Sequence, residues 1–259
     1  MIRAVLWDVD GTLAETERDG HRVAFNRAFA ALGLDWRWDA AYYGELLRVT
    51  GGRERLLADM ATRGDAPAHA SERAALAQEL HELKNRYYAE LIGAGCIALR
   101  SGVRPLIEEI ARCGLTQAIV TTTSRSNVDA LLGHHFGPHW QERFAVTVCG
   151  EDVSRKKPDP EAYLRALQTL ELQAQETLAL EDSALGAAAA AAAQVPVLLV
   201  RSAYFSQDVS TAAVATGAGL HSRSGWTPAP AAGADAQASI TLADLADWQA
   251  RYLARAQQS

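Results

Sequence analysis

The sequence predicts an α/β fold, a doubly wound parallel sheet of Rossmann-like type with an inserted all-helical domain. Short apolar runs that suit buried strands alternate with helical patterns over the second half of the chain, and one more such run stands at the N-terminus. Between them, about eighty residues show helical periodicity without a convincing buried strand. Strand alternating with helix is typical of doubly wound sheets, whose ligands bind beyond the carboxyl ends of the strands.

The first strand is predicted at residues 2–7, where the run Ile-Arg-Ala-Val-Leu-Trp leads into two acidic residues and a glycine. Buried parallel strands have such near-continuous apolar runs, and their carboxyl ends deliver polar groups. The same pattern predicts the later elements. Strands are expected at 116–121, 144–149, 177–180 and 195–200, and helices at 103–113, 126–132, 160–170 and 184–193.

The segment 15–95 breaks this alternation, because its apolar residues recur at helical spacing, as they do in 23–32 and 76–91. It predicts a helical cap domain, inserted into an α/β core that consists of residues 1–14 and 96–259.

The pattern weakens after residue 200. The stretch 227–239 is rich in Pro, Ala and Gly, which is typical of a surface loop or a disordered stretch. A short strand or turn at 240–245 and a helix at 246–256 are expected to follow.

Composition excludes several classes of function. A net charge of −6 and a pI near 5.7 argue against nucleic-acid binding, which needs a basic footprint. The longest apolar run, 184–200, is interrupted by Gln194 and Pro196, so we expect no membrane span. Three separated cysteines without metal-ligand spacing indicate reduced thiols. We expect a cytoplasmic protein, or a stromal one if the source bears plastids.

The string Asp8-Val9-Asp10-Gly11-Thr12-Leu13 carries the strongest chemical signal. Alternation along a strand places Asp8 and Asp10 on the same side, where the strand opens into a loop. Two carboxylates this close repel each other unless a cation or a shared proton lies between them. The turn at Gly11 alone would indicate an ordinary loop, but the whole string after an apolar strand favours a catalytic or metal site.

Three further polar strings follow predicted strands or open predicted helices: TTTS at 121–124, KKPDP at 156–160 and EDS at 181–183. Each alone has a structural explanation, since hydroxyls and acids cap helices and lysine pairs are usually solvated. Of the lysine pair, Lys156 is expected to be exposed. Because the ends of parallel strands meet at one edge of a sheet, the four strings together indicate one site.

Together these strings resemble the motifs of the haloacid-dehalogenase superfamily. The resemblance implies that Asp8 is the nucleophile, which forms an aspartyl-phosphate, and that Asp10 is the general acid and base. It also implies that Thr122 holds the phosphate, and that Lys157 stabilises the charges of the phosphate and of the nucleophile. Thr123 and Ser124 are expected to supply backbone N–H groups or to cap the next helix.

The same resemblance implies a magnesium ion, which prefers carboxylates, water and phosphate as ligands. In the family, the first aspartate binds it through the side chain and the second through the backbone carbonyl. The implied ligands are therefore Asp8, Asp10, Asp182 and Glu181, the last either directly or through water.

Four strings are similar to those of the CbbY group within this superfamily: AETE at 14–17, LDWRW at 34–38, TGGRER at 50–55 and TTTS. That group contains the phosphatase for xylulose 1,5-bisphosphate, an inhibitor of rubisco. The resemblance therefore implies a phosphorylated sugar as the partner molecule. The implied substrate-binding residues are Glu17, Gly51, Gly52, Arg53, Lys84 and Thr123, although Arg53, Arg55 and Lys84 by themselves would be ordinary surface residues.

Alternative functions stay open at this point. A sugar-phosphate mutase of the β-phosphoglucomutase type shares the DxDGTL chemistry, and relatives act on phosphoglycolate and other small phosphates. Dehalogenation would not require Asp10 or the acidic metal set, and a catalytically silent protein would not require any of the motif residues. We expect a monomeric phosphatase.

Overall fold

The computed structural model describes residues 1–231 and 235–256. Within these residues there are six strands: β1 (Ala4–Trp7), β2 (Thr116–Val120), β3 (Val146–Val148), β4 (Thr177–Glu181), β5 (Val197–Val200) and β6 (Ala213–Gly217). They form one parallel sheet in the order β3-β2-β1-β4-β5-β6, which confirms the predicted α/β fold. Residues 232–234 of the expected low-complexity segment lie outside the described residues, as do 257–259.

The central strand β1 determines where the polar strings meet. Trp7 lies opposite Ile119 of β2 on one side and Leu180 of β4 on the other. All four residues of β1 are buried, as expected for a parallel strand covered on both faces. The residues that follow these three strands therefore arrive at the same edge of the sheet.

Nine α-helices are described. They are α1 (Arg22–Ala31), α2 (Ala40–Leu46), α3 (Gly52–Met60), α4 (Ala70–Gly93), α5 (Val103–Arg112), α6 (Arg125–Phe136), α7 (Glu161–Leu170), α8 (Ala184–Ala192) and α9 (Leu242–Ala256). Helices α7 and α8 contribute to the same buried cluster as the strands. The small side chains of α8 allow its backbone to pack close to the sheet. No helix in the described part of the chain is both long enough and apolar enough to cross a membrane.

The chain divides into two compact units. The first consists of Met1–Glu15, Leu99–Thr122 and His139–Ser259, and the second of Thr16–Ala98 and Thr123–Pro138. Helix α6 thus groups with the helical unit, whereas the sequence analysis assigned it to the core. Its partner there is α4, as in the hydrogen bond from Asn127 to Asn85 (3.1 Å). Strand–helix alternation gives no indication of such a long-range contact.

The helical unit has an aromatic core. The ring of Phe25 lies 4.8 Å from that of Trp38, and Phe29 meets the same indole edge-on at 4.9 Å. Aromatic pairs at these separations add to the stabilisation from buried area. Before α1, a π-helical turn (Glu17–His21) opens the unit, and Gly20 within it packs directly against Ile97 and Tyr88.

Near the C-terminus, the structure corrects the sequence analysis. Strand β6 was not predicted, and residues 242–245, expected as a strand or turn, form the first turn of α9. The reason is local: the backbone N–H of Thr241 donates to the Asp244 carboxylate (2.9 Å), and the Asp244 N–H donates to the Thr241 carbonyl (3.1 Å). This reciprocal pair begins the helix four residues earlier than the predicted position.

Candidate active site

The loop after β1 is a tight, hydrogen-bonded turn. The Gly11 N–H donates to the Ala14 carbonyl (2.8 Å), and the Leu13 N–H donates to the Val9 carbonyl (2.9 Å). Gly11 has a φ of +80°, and a Cβ added there would lie 1.9 Å from Asp182 Oδ2. The motif therefore requires glycine at this position, both for the backbone conformation and for the close approach to Asp182.

Lys157 is the cationic centre of the site. Its buried Nζ lies 2.7 Å from Asp8 Oδ1 and 2.6 Å from Glu181 Oε1. It also donates to the Val120 carbonyl at the end of β2 (2.9 Å). The Thr12 hydroxyl donates to the other Asp8 oxygen, Oδ2 (3.2 Å), so both oxygens of the proposed nucleophile are held.

These contacts shift the ionisation of the pair. Burial raises the pKa of Asp8 to about 7, although the Lys157 ammonium lowers it. Burial also disfavours the charge of Lys157, but the carboxylates of Asp8 and Glu181 outweigh burial and raise its pKa. The Lys157 ammonium favours the ionised carboxylate of Asp8 but does not outweigh burial, so further positive charge beside Asp8 would favour ionisation.

Three buried acids form a cluster suited to a metal ion. Oxygen atoms of Asp8, Glu181 and Asp182 all lie within 4.8 Å of one another, beside the single ammonium of Lys157. Hard oxygen ligands of this type suit magnesium, and a divalent cation would offset the excess negative charge. The chemistry of the donor set therefore fits the implied metal. Asp10 is half-buried in the adjoining turn.

Glu181 also has a positional role, which sequence analysis did not predict. Its Oε1 accepts a hydrogen bond from the buried Tyr163 hydroxyl as well as from Lys157. A Cβ on Gly186 of α8 would lie 1.9 Å from Glu181 Oε2, so the helix packs directly against the carboxylate. Neither Tyr163 nor Gly186 belongs to a recognisable string, and their roles follow from packing alone.

The remaining core residues lie where their strings end. Thr121 is buried and Thr122, the predicted phosphate-binding residue, is half-buried directly after it. The assignment of the phosphate contact to Thr122 stays a prediction. Lys156 is half-buried, which corrects the expectation that it is exposed.

In the helical unit, the half-buried Glu17 contacts two buried polar residues, Tyr43 and Arg55. The Tyr43 hydroxyl donates to Glu17 Oε2 (2.5 Å), and Arg55 Nη1 donates to the Tyr43 oxygen (2.7 Å). Arg55 lies 3.6 Å from Glu17 and is buried, whereas Arg53, the arginine predicted to bind substrate, is exposed. A string with two arginines two residues apart does not indicate which one faces inward.

Lys84 is buried, with 3% of its surface exposed, although a lone lysine in a packing helix is usually at the surface. Its Nζ donates to Asn85 Oδ1 (3.2 Å). The same atom lies 5.3 Å from the ring centre of Phe25 and 5.4 Å from that of Tyr88. Thr123 accepts a hydrogen bond from Asn127 (3.3 Å).

The two glycines of the TGGRER string begin α3. Gly51 caps the helix with a φ of +92°, a conformation that favours glycine. A Cβ on Gly52 would lie 3.1 Å from the His81 ring, so the helix start packs closely inside its own unit.

Comparison with known proteins gives a consistent result. The family model for haloacid dehalogenase-like hydrolases matches residues 2–194. The CbbY protein of Cupriavidus necator is 44% identical over 207 residues, which cover 80% of this chain and 81% of that protein. The CbbY protein of Rhodobacter capsulatus is 45% identical over 212 residues, covering 82% and 91%.

Solved structures agree. The structure of a CbbY mutant from Rhodobacter sphaeroides in complex with xylulose 1,5-bisphosphate superposes with a TM-score of 0.76 at 39% identity, covering 82% of this chain and 92% of that one. The β-phosphoglucomutase of Clostridium difficile has a TM-score of 0.71 at 18% identity over 98% of this chain and all of that one, a likeness of fold alone.

Proposed function

Because this chain belongs to the haloacid dehalogenase-like hydrolase family and is a phosphatase, we propose that it hydrolyses xylulose 1,5-bisphosphate to xylulose 5-phosphate and phosphate. The observation that carries the reaction is the Lys157–Asp8 contact of 2.7 Å inside a cluster of buried acids. The substrate is supported by similarity to the CbbY protein whose structure contains that bisphosphate.

In the first step, an oxygen of Asp8 attacks phosphorus, and the bond from phosphorus to the sugar oxygen breaks. Asp10 gives its proton to the departing oxygen. Lys157 offsets negative charge on the phosphoryl group and favours the ionised form of Asp8. The products of this step are xylulose 5-phosphate, which now has a free hydroxyl, and an aspartyl-phosphate.

In the second step, Asp10 takes a proton from water as the water oxygen attacks the same phosphorus. The bond from phosphorus to Asp8 breaks, which releases phosphate and restores the carboxylate. The half-buried position of Asp10 suits proton exchange with both the leaving group and water.

We propose that Asp8, Asp182 and the backbone carbonyl of Asp10 hold magnesium, with Glu181 binding directly or through water. When bound, magnesium supplies electrostatic stabilisation of the phosphoryl oxygens and lowers the charge repulsion between substrate and carboxylates.

The helical unit is proposed to recognise the rest of the sugar. Lys84 would bind the phosphate that is not hydrolysed, as a desolvated point charge. Glu17, oriented by Tyr43 and Arg55, would accept hydrogen bonds from sugar hydroxyls. Gly51, Gly52, Arg53 and Thr123 complete the proposed set.

The test is phosphate release from xylulose 1,5-bisphosphate, β-glucose 1-phosphate and phosphoglycolate. We expect kcat/KM to be at least about tenfold higher for the bisphosphate, a difference of about 1.4 kcal/mol. EDTA should abolish turnover and magnesium should restore it. Asp8→Asn is the inactive control, with a loss of at least about 10⁴-fold.

Other outcomes are decisive too. Conversion of β-glucose 1-phosphate to glucose 6-phosphate would identify a mutase, and faster hydrolysis of phosphoglycolate would overturn the substrate assignment. In the same assay, Lys84→Ala should weaken hydrolysis of the bisphosphate more than that of monophosphates. Equal losses would contradict the proposed role of Lys84.

A monomeric state and a cytoplasmic or stromal location stay predictions, which light scattering and localisation of a tagged protein would check.

A further inference from the structure

Arg100 makes an unusual set of contacts inside the first unit. Its Nη1 donates to the carbonyl of Gly11 in the turn after β1 (residues 9–14, here called the catalytic turn), and also to the carbonyl of Val200 at the end of β5 (3.0 Å). Its Nη2 donates to the carbonyls of Arg201 (2.6 Å) and Ala218 (2.9 Å). One guanidinium therefore connects the catalytic turn to the ends of two strands.

The backbone around Arg100 is attached to the same turn. Its N–H donates to the Leu13 carbonyl (2.8 Å), and the preceding Leu99 forms an antiparallel bridge with Ala14. Arg100 Nε lies 3.4 Å from Glu15, whose other carboxylate oxygen accepts from the Ala203 N–H (3.2 Å). The backbone contact with Leu13 and the ion pair with Glu15 thus orient the guanidinium toward Gly11.

Gly11 connects Arg100 to the residues proposed to carry out phosphoryl transfer. Its carbonyl accepts from Arg100, its N–H bonds Ala14, and its α-carbon packs against the Asp182 carboxylate, where a Cβ would lie 1.9 Å away. The residue before Gly11 is Asp10. A shift of Gly11 would therefore move the general acid and disturb the contact with Asp182 together.

We propose that Arg100 is a positioning residue for phosphoryl transfer. It holds the carbonyl of the Gly11–Thr12 peptide and thereby fixes Gly11 and the adjoining Asp10 relative to Asp182. The planar fork of a guanidinium can reach several carbonyls at fixed angles, and an ammonium cannot reproduce that pattern. The proposal rests on the reaction class and not on the identity of the sugar.

The test compares Arg100→Lys and Arg100→Ala with wild type, on whichever phosphate ester wild type hydrolyses fastest. We expect kcat to fall about 10²-fold, the loss typical of a displacement of about 1 Å at a catalytic group. KM should change less than about threefold, because Arg100 does not contact the part of the substrate that the helical unit is proposed to bind. A preference of wild type for another ester would overturn the substrate assignment and leave this comparison intact.

Two controls separate positioning from general stability. Arg223→Lys alters another half-buried arginine of the same unit, paired with Asp244 at 3.0 Å, and should lower Tm while kcat stays unchanged. For Arg100→Ala, guanidinium chloride at a sub-denaturing concentration should restore part of kcat, whereas sodium chloride should not.

The proposal is overturned if Arg100→Lys keeps kcat within about threefold of wild type, or if both Arg100 variants lose only thermal stability, as Arg223→Lys does. If Arg100→Ala does not fold, Arg100→Lys decides. Magnesium alone supplies a readout without turnover: its stabilisation of Tm should need a higher concentration in Arg100→Lys, and an unchanged titration would contradict the link to Asp182.

Discussion

The ammonium of Lys157 lies between the carboxylates of Asp8 and Glu181, at 2.7 and 2.6 Å, and all three groups are buried. Removing one partner from a buried ionic cluster lowers stability strongly, because the remaining charges are shielded from water and no longer have a counter-charge. At the scale of single residues, the site is therefore a set of mutually dependent charges. The same arrangement that holds the proposed nucleophile also affects the stability of the core.

Replacing Lys157 with Met should lower the free energy of unfolding by about 3–5 kcal/mol at pH 8, as measured by urea denaturation. The loss should be smaller at pH 6. The pKa of Asp8 is already raised to about 7 by burial, and loss of Lys157 would raise it further. A carboxyl whose pKa is raised on folding destabilises the protein increasingly as pH rises from its ordinary value of 3.8 through the folded value.

The matched control is Lys156→Met, on the half-buried neighbour, which should cost less than about 1 kcal/mol. A small cost for Lys157→Met that does not depend on pH would contradict the ionic cluster.

At the scale of elements, helix α7 organises the loop that carries Lys157. Glu161, its first residue, accepts hydrogen bonds from the backbone N–H groups of Ser154 and Arg155, both at 2.8 Å. The Glu161 N–H in turn donates to Asp159 (3.0 Å). A helix N-terminus and the preceding loop thus form one hydrogen-bonded unit, so Lys157 projects from a fixed backbone.

These bonds make a prediction about pH. The hydrogen bonds from the Ser154 and Arg155 backbone lower the pKa of Glu161 below its ordinary value of 4.5. A lowered pKa gives stability that is present above pH 4.5 and lost as pH falls through the folded value. Glu161→Gln should therefore be less stable than wild type at pH 7, and the difference should shrink on acidification below pH 4.5.

Urea titrations across that range provide the measurement, with the exposed Glu108→Gln as control. A difference between Glu161→Gln and wild type that is equal at pH 7 and at pH 4 would show that the carboxylate charge is not responsible.

At the scale of the whole molecule, the C-terminal segment belongs to the first unit's core. Trp248 of α9 is fully buried, stacks on Trp226 at 4.7 Å between ring centres, and donates to the Pro228 carbonyl (3.0 Å). Trp226 in turn packs so closely on Gly217 of β6 that a Cβ there would lie 2.3 Å from the indole. The segment covers the end strand of the sheet.

Trp248→Ala should therefore lower the free energy of unfolding by about 3–5 kcal/mol, the range for truncating a buried aromatic residue. The proposed catalytic residues belong to other elements, so kcat at 25 °C should stay close to wild type. Leu164→Ala, at a half-exposed position, is the control and should cost less than about 1 kcal/mol. A cost for Trp248→Ala similar to the control would mean that the segment is only loosely attached.

The sequence alone determined the fold class and several of the polar residues that meet at one edge of the sheet. Asp8, Lys157, Glu181 and Asp182 could be identified because each belongs to a local string beside a strand or helix end, and parallel strands place those ends together. Strand β6 and the start of α9 were missed, since their stability comes from packing and from the Thr241–Asp244 pair more than from apolar periodicity.

Only the tertiary structure decided which neighbours hold these groups. Arg55 rather than Arg53 lies beside Glu17, Lys84 is buried, and Tyr163 bonds Glu181. Arg100 reaches Gly11 and Ala218, which stand 89 and 118 positions away. Such contacts depend on how distant segments of the chain pack together. Residue type and local spacing do not predict them, because many arginines, lysines and tyrosines lie at the surface instead. Short sequence strings identify the reactive residue types, but the relative positions of those residues depend on long-range packing.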